Sequence, residues 1–250
     1  EGITFDSRKV GPDFCFVAQT GTHADGHQFI PVAIEKGATV IVCETLPEVL
    51  SDKILYVRVK NADEFLGLLS ASWFDFPSRK MKVVGVTGTN GKTSIATLLY
   101  HLFTRLGYQT GLISTISTIA GNRVETATHT TPDSLRIQSL LSEMADAGSE
   151  YCFMEVSSHS VVQHRITGIE FAGGIFTNIT HDHLDYHKTF AEYLKAKKGF
   201  FDGLSSSAFA LVNTDDKNGE VMVQNTNAVK YAFSTRAVAD FTCRVIENHF

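Results

Sequence analysis

One stretch fixes the centre of this chain: residues 83–94, VVGVTGTNGKTS. Val83, Val84 and Val86 form an apolar, β-rich run. Gly88 and Gly91 open the turn that follows, and Lys92 and Thr93 stand where a helix begins. Ile95, Leu98, Leu99, Leu102, Phe103 and Leu106 then recur at helical spacing and are expected on one buried face. A strand, a glycine turn and a helix N-terminus in that order make a cradle for phosphate. The glycines let backbone N–H groups turn toward an anion, and the helix dipole favours negative charge there. Lys92 can reach terminal phosphates and the Thr93 hydroxyl can ligate Mg²⁺.

The spacing departs from the commonest phosphate loop, which has a glycine five residues before the Gly-Lys glycine. That position is Val86 here, and the leading glycine is Gly88, so the loop reads GTNGKT. The flanking strand and helix supply the required context.

The chain has 250 residues, room for one large or two modest domains. Hydrophobic residues make up 43% and charged residues 20%, as in an ordinary globular protein. A net charge of -5 offers no basic surface for nucleic acid. No apolar run approaches a membrane span, so no membrane partner is expected. Cys15, Cys43, Cys152 and Cys243 are scattered singly, which argues against a disulfide framework and for a reducing, cytoplasmic setting. The chain begins at Glu1 with no visible signal peptide, as if trimmed or excised.

Residues 1–78 read as a small α/β unit. Residues 13–18 alternate like a strand, 29–36 form a short helix stopped by Gly37, and 38–43 and 54–59 read as buried strands. Asn61 caps a helix through Phe65, Leu68, Leu69 and Ser72, with Glu64 at the third position. Pro77 and the charged residues 78–80 read as a linker, placing a boundary between 78 and 79.

Residues 79–250 read as a larger unit. A strand at 110–114 precedes a Thr-rich stretch turning at Gly121–Asn122. His129, Thr130, Thr131 and Pro132 precede a helix over 133–147, with Pro132 in its first turn and the threonines read as caps or anion binders. Residues 151–156 form a strand ending in Glu155, followed by Ser157, Ser158 and His159. Ligands of open parallel sheets bind beyond the carboxyl ends of strands, so Glu155 is expected to face the same ligand as the glycine loop. A carboxylate there suits Mg²⁺.

A strand at 172–177 leads to Asn178 and THDHLDYH, residues 180–187. Zinc is one reading of that segment. No further His or Cys cluster completes a tetrahedral set, so one histidine serving a nucleotide-bound metal fits better. Thr189 and Glu192 make a capping box. Phe190, Leu194, Lys197 and Phe201 then share a face, which puts Lys197 in an apolar stripe and points Lys195 and Lys198 elsewhere. An inward lysine snorkels, pairs with an acid, or loses its charge and becomes chemically useful. Strands are expected at 208–212, 229–233 and 241–246, with NTDDKN (213–218) as a turn.

Taken in order, TGTNGKTS, HTTP, MEVSSH, QHR, FTNITHDHLDYH and AEYLKAKK resemble the Mur ligases of peptidoglycan synthesis. The nearest type adds an amino acid to UDP-N-acetylmuramoyl-L-alanyl-D-glutamate. The leading DSRKV and GTHADGHQFI resemble its uridine-binding domain. GTNGKT alone would not separate these enzymes from folylpolyglutamate synthases. The resemblance implies a UDP-sugar-binding α/β domain followed by a P-loop-type, mostly parallel-sheet ATPase domain, here incomplete. A further domain that selects the incoming amino acid is missing, so this chain alone is expected not to ligate.

It implies an ATP-dependent ligase, monomeric and cytoplasmic, that adds meso-diaminopimelate or L-lysine through an acyl phosphate. Gly88, Thr89, Asn90, Gly91, Lys92, Thr93, Ser94 and Asn178 would hold ATP. Thr93 and Glu155 would serve one Mg²⁺. His183 and a CO₂-derived carbamate on Lys197 would serve a second. Ser7, Thr22, His23 and Ala24 would meet the uridine nucleotide, and His129, Thr130, Thr131, Ser157, Gln163 and Arg165 the muramoyl-peptide. The competing readings are a related carboxylate–amine ligase, a nucleotide-binding scaffold without chemistry, and a zinc hydrolase.

Overall fold

The computed structural model describes residues 1–21, 24–127, 130–180 and 189–243. The chain divides into two compact units, Glu1–Trp73 and Phe74–Phe250.

In the first unit, β1 (Gly2–Thr4), β2 (Phe14–Val17), β3 (Ala38–Cys43) and β4 (Leu55–Arg58) pair in parallel and in chain order. Helix α1 (Ile30–Glu35) packs on β3, and α2 (Ala62–Trp73) closes the unit. Phe16, Ala18, Ile30, Ala33, Ile41 and Cys43 form the core. The 54–59 segment, expected to be buried, is instead an edge strand: Leu55 is 61% exposed. Asn61 does cap α2, its Oδ1 accepting from Glu64 N at 2.8 Å. The buried face of α2 is Ala62, Leu66, Gly67, Ser70 and Ala71, whereas Leu68 and Ser72 are exposed. The small residues on that face permit close approach, which a count of large apolar residues misses.

The expected linker is no linker. Pro77–Lys80 forms a 3₁₀ turn belonging to the second unit. Ser78 is buried, its Oγ accepting from Glu170 N at 3.0 Å, and Arg79 pairs with Glu170 at 2.6 Å. The division therefore falls after Trp73 rather than after Ser78.

Among the described residues, the second unit holds β5 (Lys82–Thr87), β6 (Thr110–Ile113), β7 (Ser117–Ala120), β8 (Arg123–Thr126), β9 (Tyr151–Glu155), β10 (Phe171–Phe176), β11 (Phe209–Asn213), β12 (Val229–Ser234) and β13 (Phe241–Thr242). Their order is β13-β12-β11-β10-β5-β9-β6-β7-β8. Strands β13 through β6 are parallel, and β7 and β8 add an antiparallel hairpin turning at Gly121 and Asn122. The last expected strand ends at Thr242 within the described residues. Helices α3 (Lys92–Arg105), α4 (Ser134–Asp146), α5 (Ser158–Val162), α6 (Phe190–Asp202) and α7 (Gly219–Met222) join the strands. Residues of α4 and α6 pack with Val83, Met154 and Phe176, while α3 packs with Val84, Val86, Leu112 and Phe153.

Two helix expectations change. Ile95, Ala96, Leu99 and Phe103 face the sheet from α3, whereas Leu98, Leu102 and Leu106 are 66%, 51% and 63% exposed. Helix α4 starts one turn-position later than expected: Asp133 is its cap, accepting from Arg136 N at 2.9 Å, and Pro132 lies outside the helix.

Because β5, β9, β10 and β11 run parallel, their carboxyl ends share one edge. The glycine loop, Glu155, Asn178 and Asn213 are thereby brought to the same rim, with β5 between β10 and β9.

Candidate nucleotide and substrate site

The glycine loop leaves β5 with Gly88 at φ +154° and Gly91 at φ +84°, the latter preceding α3. A Cβ on Gly88 would lie 1.9 Å from Thr177 Oγ1, so the loop can lie this close to β10 only with glycine there. The segment after β10 clasps the loop. Thr89 N donates to Asn178 O at 2.8 Å and Asn90 N to Asn178 Oδ1 at 3.0 Å. Thr177 Oγ1 and Asn178 Nδ2 donate to Asn90 O at 2.7 and 3.1 Å. Thr180 N donates to Thr89 Oγ1 at 3.0 Å, and that hydroxyl also meets Tyr193 OH at 3.1 Å. Asn178 is thus a loop-positioning side chain. Lys92, Thr93 and Ser94 open the first turn of α3, and Lys92 Nζ donates to Gly88 O and Thr89 O, each at 2.9 Å.

Lys197 comes from the far side of the sequence. Thr189 Oγ1 accepts from Glu192 N at 3.2 Å, which starts α6 in a register that turns Tyr193, Ala196, Lys197, Phe200 and Phe201 inward. Lys197 is 1% exposed, with Nζ 2.8 Å from Gly88 O and 4.7 Å from the Tyr193 ring centroid. Lys195 is exposed and Lys198 pairs with Asp202 at 2.6 Å. Of the three options for an inward lysine, snorkelling is therefore excluded.

Glu155 ends β9 opposite Val86 and is fully buried. Its Oε1 accepts from Thr115 N at 2.6 Å, while Oε2 has no hydrogen-bond partner among the described residues. A buried carboxylate oxygen without a partner is costly, and a hard divalent cation is the group that suits it. The residues present therefore fit Mg²⁺: Glu155, with the Thr93 hydroxyl at the start of α3.

Beside the loop is a cavity of about 290 Å³ whose lining includes Lys92, Thr130, Thr131, Ser157, Arg165 and Lys197. Ser158 and His159 also line it. The two threonines are not the helix cap, since Asp133 has that task. Thr131 Oγ1 donates to Glu155 O at 2.9 Å and accepts from Ser157 N at 3.2 Å, and Arg165 Nη1 donates to Thr131 O at 2.8 Å. Arg165 thus presents its guanidinium at this cavity. Gln163 ends α5, and neither it nor Asn90 and Ser94 are among the lining residues.

In the first unit, Ser7 begins the 3₁₀ turn after β1, and its carbonyl accepts from Lys36 Nζ at 3.0 Å. Ala24 O accepts from Gly21 N at 3.1 Å, inside a loop closed by the Thr20–Asp25 bridge. Next to that loop is a cavity of about 390 Å³ lined by Thr20, Asp25, His27, Gln28, Glu44 and Leu46 among others. Asp25 is held below the usual carboxylate range by the His27 backbone amide and then its imidazole. Burial pushes the Cys152 thiol up to about 12 and Cys15 to about 11, which disfavours the thiolate form of both.

Four expected site residues, Thr22, His23, His129 and His183, lie outside the described residues, as does most of the segment read for zinc. Missed from sequence were Thr115, Thr177, Tyr193, Asn213 and Asp216. All lie at strand carboxyl ends or on an inward helix face, which is the signal that could have found them.

Two family models match the chain: the Mur ligase middle domain over residues 86–249 and the model described as "Mur ligase family, catalytic domain" over residues 1–74. A UDP-N-acetylmuramoyl-L-alanyl-D-glutamate--2,6-diaminopimelate ligase of Cytophaga hutchinsonii is 56% identical over 245 residues, covering 98% of this chain and 50% of the relative. One of the same name from Phocaeicola vulgatus is 54% identical over 249 residues, covering 100% of this chain and 51% of the relative. The chain thus spans about half the length of the curated relatives it matches. A solved structure of a ligase of that name superposes with a TM-score of 0.83 at 25% identity, over 96% of this chain and 50% of that one. The middle-domain match alone covers more than half of the sequence, and the chain belongs to the Mur ligase family.

Proposed function

We propose that this chain serves an ATP-dependent ligase of peptidoglycan precursor synthesis, joining 2,6-diaminopimelate to UDP-N-acetylmuramoyl-L-alanyl-D-glutamate in the cytoplasm. The curated relatives carry that activity in their names, which favours diaminopimelate over L-lysine and over a folate substrate. The observation that carries the reading is Lys197: a lysine 1% exposed, with its amine on the phosphate loop and at the wall of the cavity beside it. A lysine held on the phosphate loop and a buried carboxylate at the end of β9, both at the same rim of the sheet, favour a reading with chemistry over a scaffold without it.

In the reaction, the free carboxylate of the UDP-linked dipeptide attacks the terminal phosphorus of ATP, giving an acyl phosphate and ADP. The amine of the diamino acid adds to the acyl carbon, loses a proton, and phosphate leaves as the amide forms. This chain's part is positioning and neutralisation. Loop amides from Gly88 to Ser94 and the α3 N-terminus hold the phosphates, and Lys92 leaves the loop carbonyls to balance the terminal charge. Arg165, Thr130, Thr131 and Ser157 orient the substrate carboxylate, with Gln163 and His129 on the muramoyl-peptide. Ser7, Thr22, His23 and Ala24 hold the uridine nucleotide.

Thr93 and Glu155 would hold one Mg²⁺, and His183 with a carbamate on Lys197 a second; when bound, the cations would supply neutralisation of the phosphate charge. A carbamate gives Lys197 the anionic oxygens that an amine lacks, and the burial of Lys197 supports that assignment.

Calorimetry of the chain with UDP-N-acetylmuramoyl-L-alanyl-D-glutamate and with Mg²⁺ and a non-hydrolysable ATP analogue tests the reading. Saturable binding of both, with the unmodified UDP-sugar binding more weakly, is expected. Binding of neither, or stoichiometric zinc on metal analysis, would overturn it.

A further inference from the structure

The turn after β11, residues 213–218, does more than reverse the chain. Asn213 Oδ1 accepts from Asp215 N at 2.9 Å, and Asp216 Oδ1 accepts from Asn218 N at 2.9 Å. Those two bonds are the turn's own. The other polar atom of each side chain reaches back to the segment following β10. Asn213 Nδ2 donates to Thr177 O at 2.8 Å, and Asp216 Oδ2 accepts from Ile179 N at 2.7 Å. Asp215, between them, turns the opposite way and binds Ser234 at the end of β12 and Thr235 just after it. The segment gripped by Asn213 and Asp216 is the one whose Thr177, Asn178 and Thr180 clasp the glycine loop at Thr89 and Asn90.

We propose that Asp216 and Asn213 are positioning residues for the nucleotide, setting the segment after β10 and through it the glycine loop. They act from two strand positions away, since β10 separates β11 from β5. The physical case rests on what the loop must do. Its amides bind phosphate only if they converge, and a glycine-rich loop has little stiffness of its own. The clasp supplies the stiffness, but a free strand-end segment would move with the loop. Asp216 stops that with a charge-assisted bond, stronger than a neutral one, placed between the two residues whose side chains or carbonyls hold the loop. This rests on the reading that the loop binds ATP.

The test is a double-mutant cycle between Asp216→Ala and Asn178→Ala, read as the dissociation constant of the ATP analogue with Mg²⁺ on the 250-residue chain. Asp216→Ala should weaken binding by about tenfold or more, and Asp216→Asn, which keeps an acceptor for Ile179 N, should recover most of it. In the Asn178→Ala background, Asp216→Ala should add less than about twofold, because the clasp it steadies is already weakened. UDP-muramoyl-dipeptide binding to each variant serves as the control for fold. Should Asp216→Ala unfold, Asn213→Ala carries the same expectation. Unchanged ATP affinity in a folded Asp216→Ala chain, or full additivity with Asn178→Ala, overturns the proposal. A wild-type chain that takes no ATP overturns the functional reading first and this proposal with it.

Discussion

Lys197 Nζ donates to the carbonyl of Gly88 at 2.8 Å, across 109 positions of sequence. The bond places the one deeply buried lysine of α6 against the phosphate loop while Lys195 and Lys198 stay at the surface or pair there. Addition of CO₂ to an amine forms an N–C bond, leaves a carboxylate and releases a proton. We expect ¹³C-bicarbonate to give a carbamate resonance on this chain with Mg²⁺ present. Lys197→Ala should abolish it, and Lys195→Ala and Lys198→Ala should keep it. A resonance that survives Lys197→Ala would assign the carbamate elsewhere.

The two loop glycines make unequal demands. An alanine at Gly88 would set its Cβ 1.9 Å from Thr177 Oγ1 and 3.0 Å from Asn178 O, breaking the clasp. At Gly91 the φ is +84° but no atom of the described residues lies within 4 Å of the added Cβ. Gly88→Ala should therefore lose nucleotide binding and about 2–3 kcal/mol of stability to overpacking. Gly91→Ala should cost only left-handed backbone strain, about 1–2 kcal/mol. Urea unfolding with nucleotide titration compares them; equal losses in both would refute the steric account.

What could be read from the chain without coordinates was local. The glycine loop, the Thr189 cap of α6 and the inward register of Lys197 each depend on a few neighbouring residues, and the structure repeats them. The face of α3 was not readable. Six large apolar residues spread over two adjacent stripes, and periodicity does not say which stripe the sheet covers. The sheet covers Ile95, Leu99 and Phe103, leaving Leu98, Leu102 and Leu106 outside. Nor did the burial of a strand at the sheet's edge follow from its apolar composition, as Leu55 shows. Asn213 and Asp216 read as turn formers because their decisive bonds span 36 and 37 positions. Of the site, the phosphate loop was legible; the residues that hold it still were not.

Asp215 gives a pH signature. Hydrogen bonds from the Ser234 hydroxyl first, then the Thr235 amide and hydroxyl, lower its carboxyl from 3.8 to about 2. A depressed native value means the unfolded chain takes up the proton first. The stabilisation is complete above 3.8 and disappears as pH falls through about 2. The stability gap between wild type and Asp215→Asn, measured by urea unfolding from neutral to acid pH, should hold constant and then close across that interval. A gap that stays open below it would show that the bonds do not depend on the charge.

Glu155 sets stability against function. One carboxylate oxygen is satisfied by Thr115 N at 2.6 Å, the other by nothing among the described residues, and the residue is 0% exposed. Replacing it with glutamine keeps an acceptor for Thr115 N and removes a buried charge. The metal-free Glu155→Gln chain should then be at least as stable as wild type, because a neutral amide costs less than a carboxylate where one side-chain atom has no partner among the described residues. The same change removes the anionic ligand. Wild type should gain thermal stability when Mg²⁺ accompanies the ATP analogue, by the mass-action term for a ligand that binds only the native state. Most of the Mg²⁺-dependent part of that gain should vanish in Glu155→Gln, while the gain from nucleotide alone persists. A variant that is less stable without metal yet keeps the full Mg²⁺ shift would make Glu155 a structural acid and move the cation elsewhere on the rim.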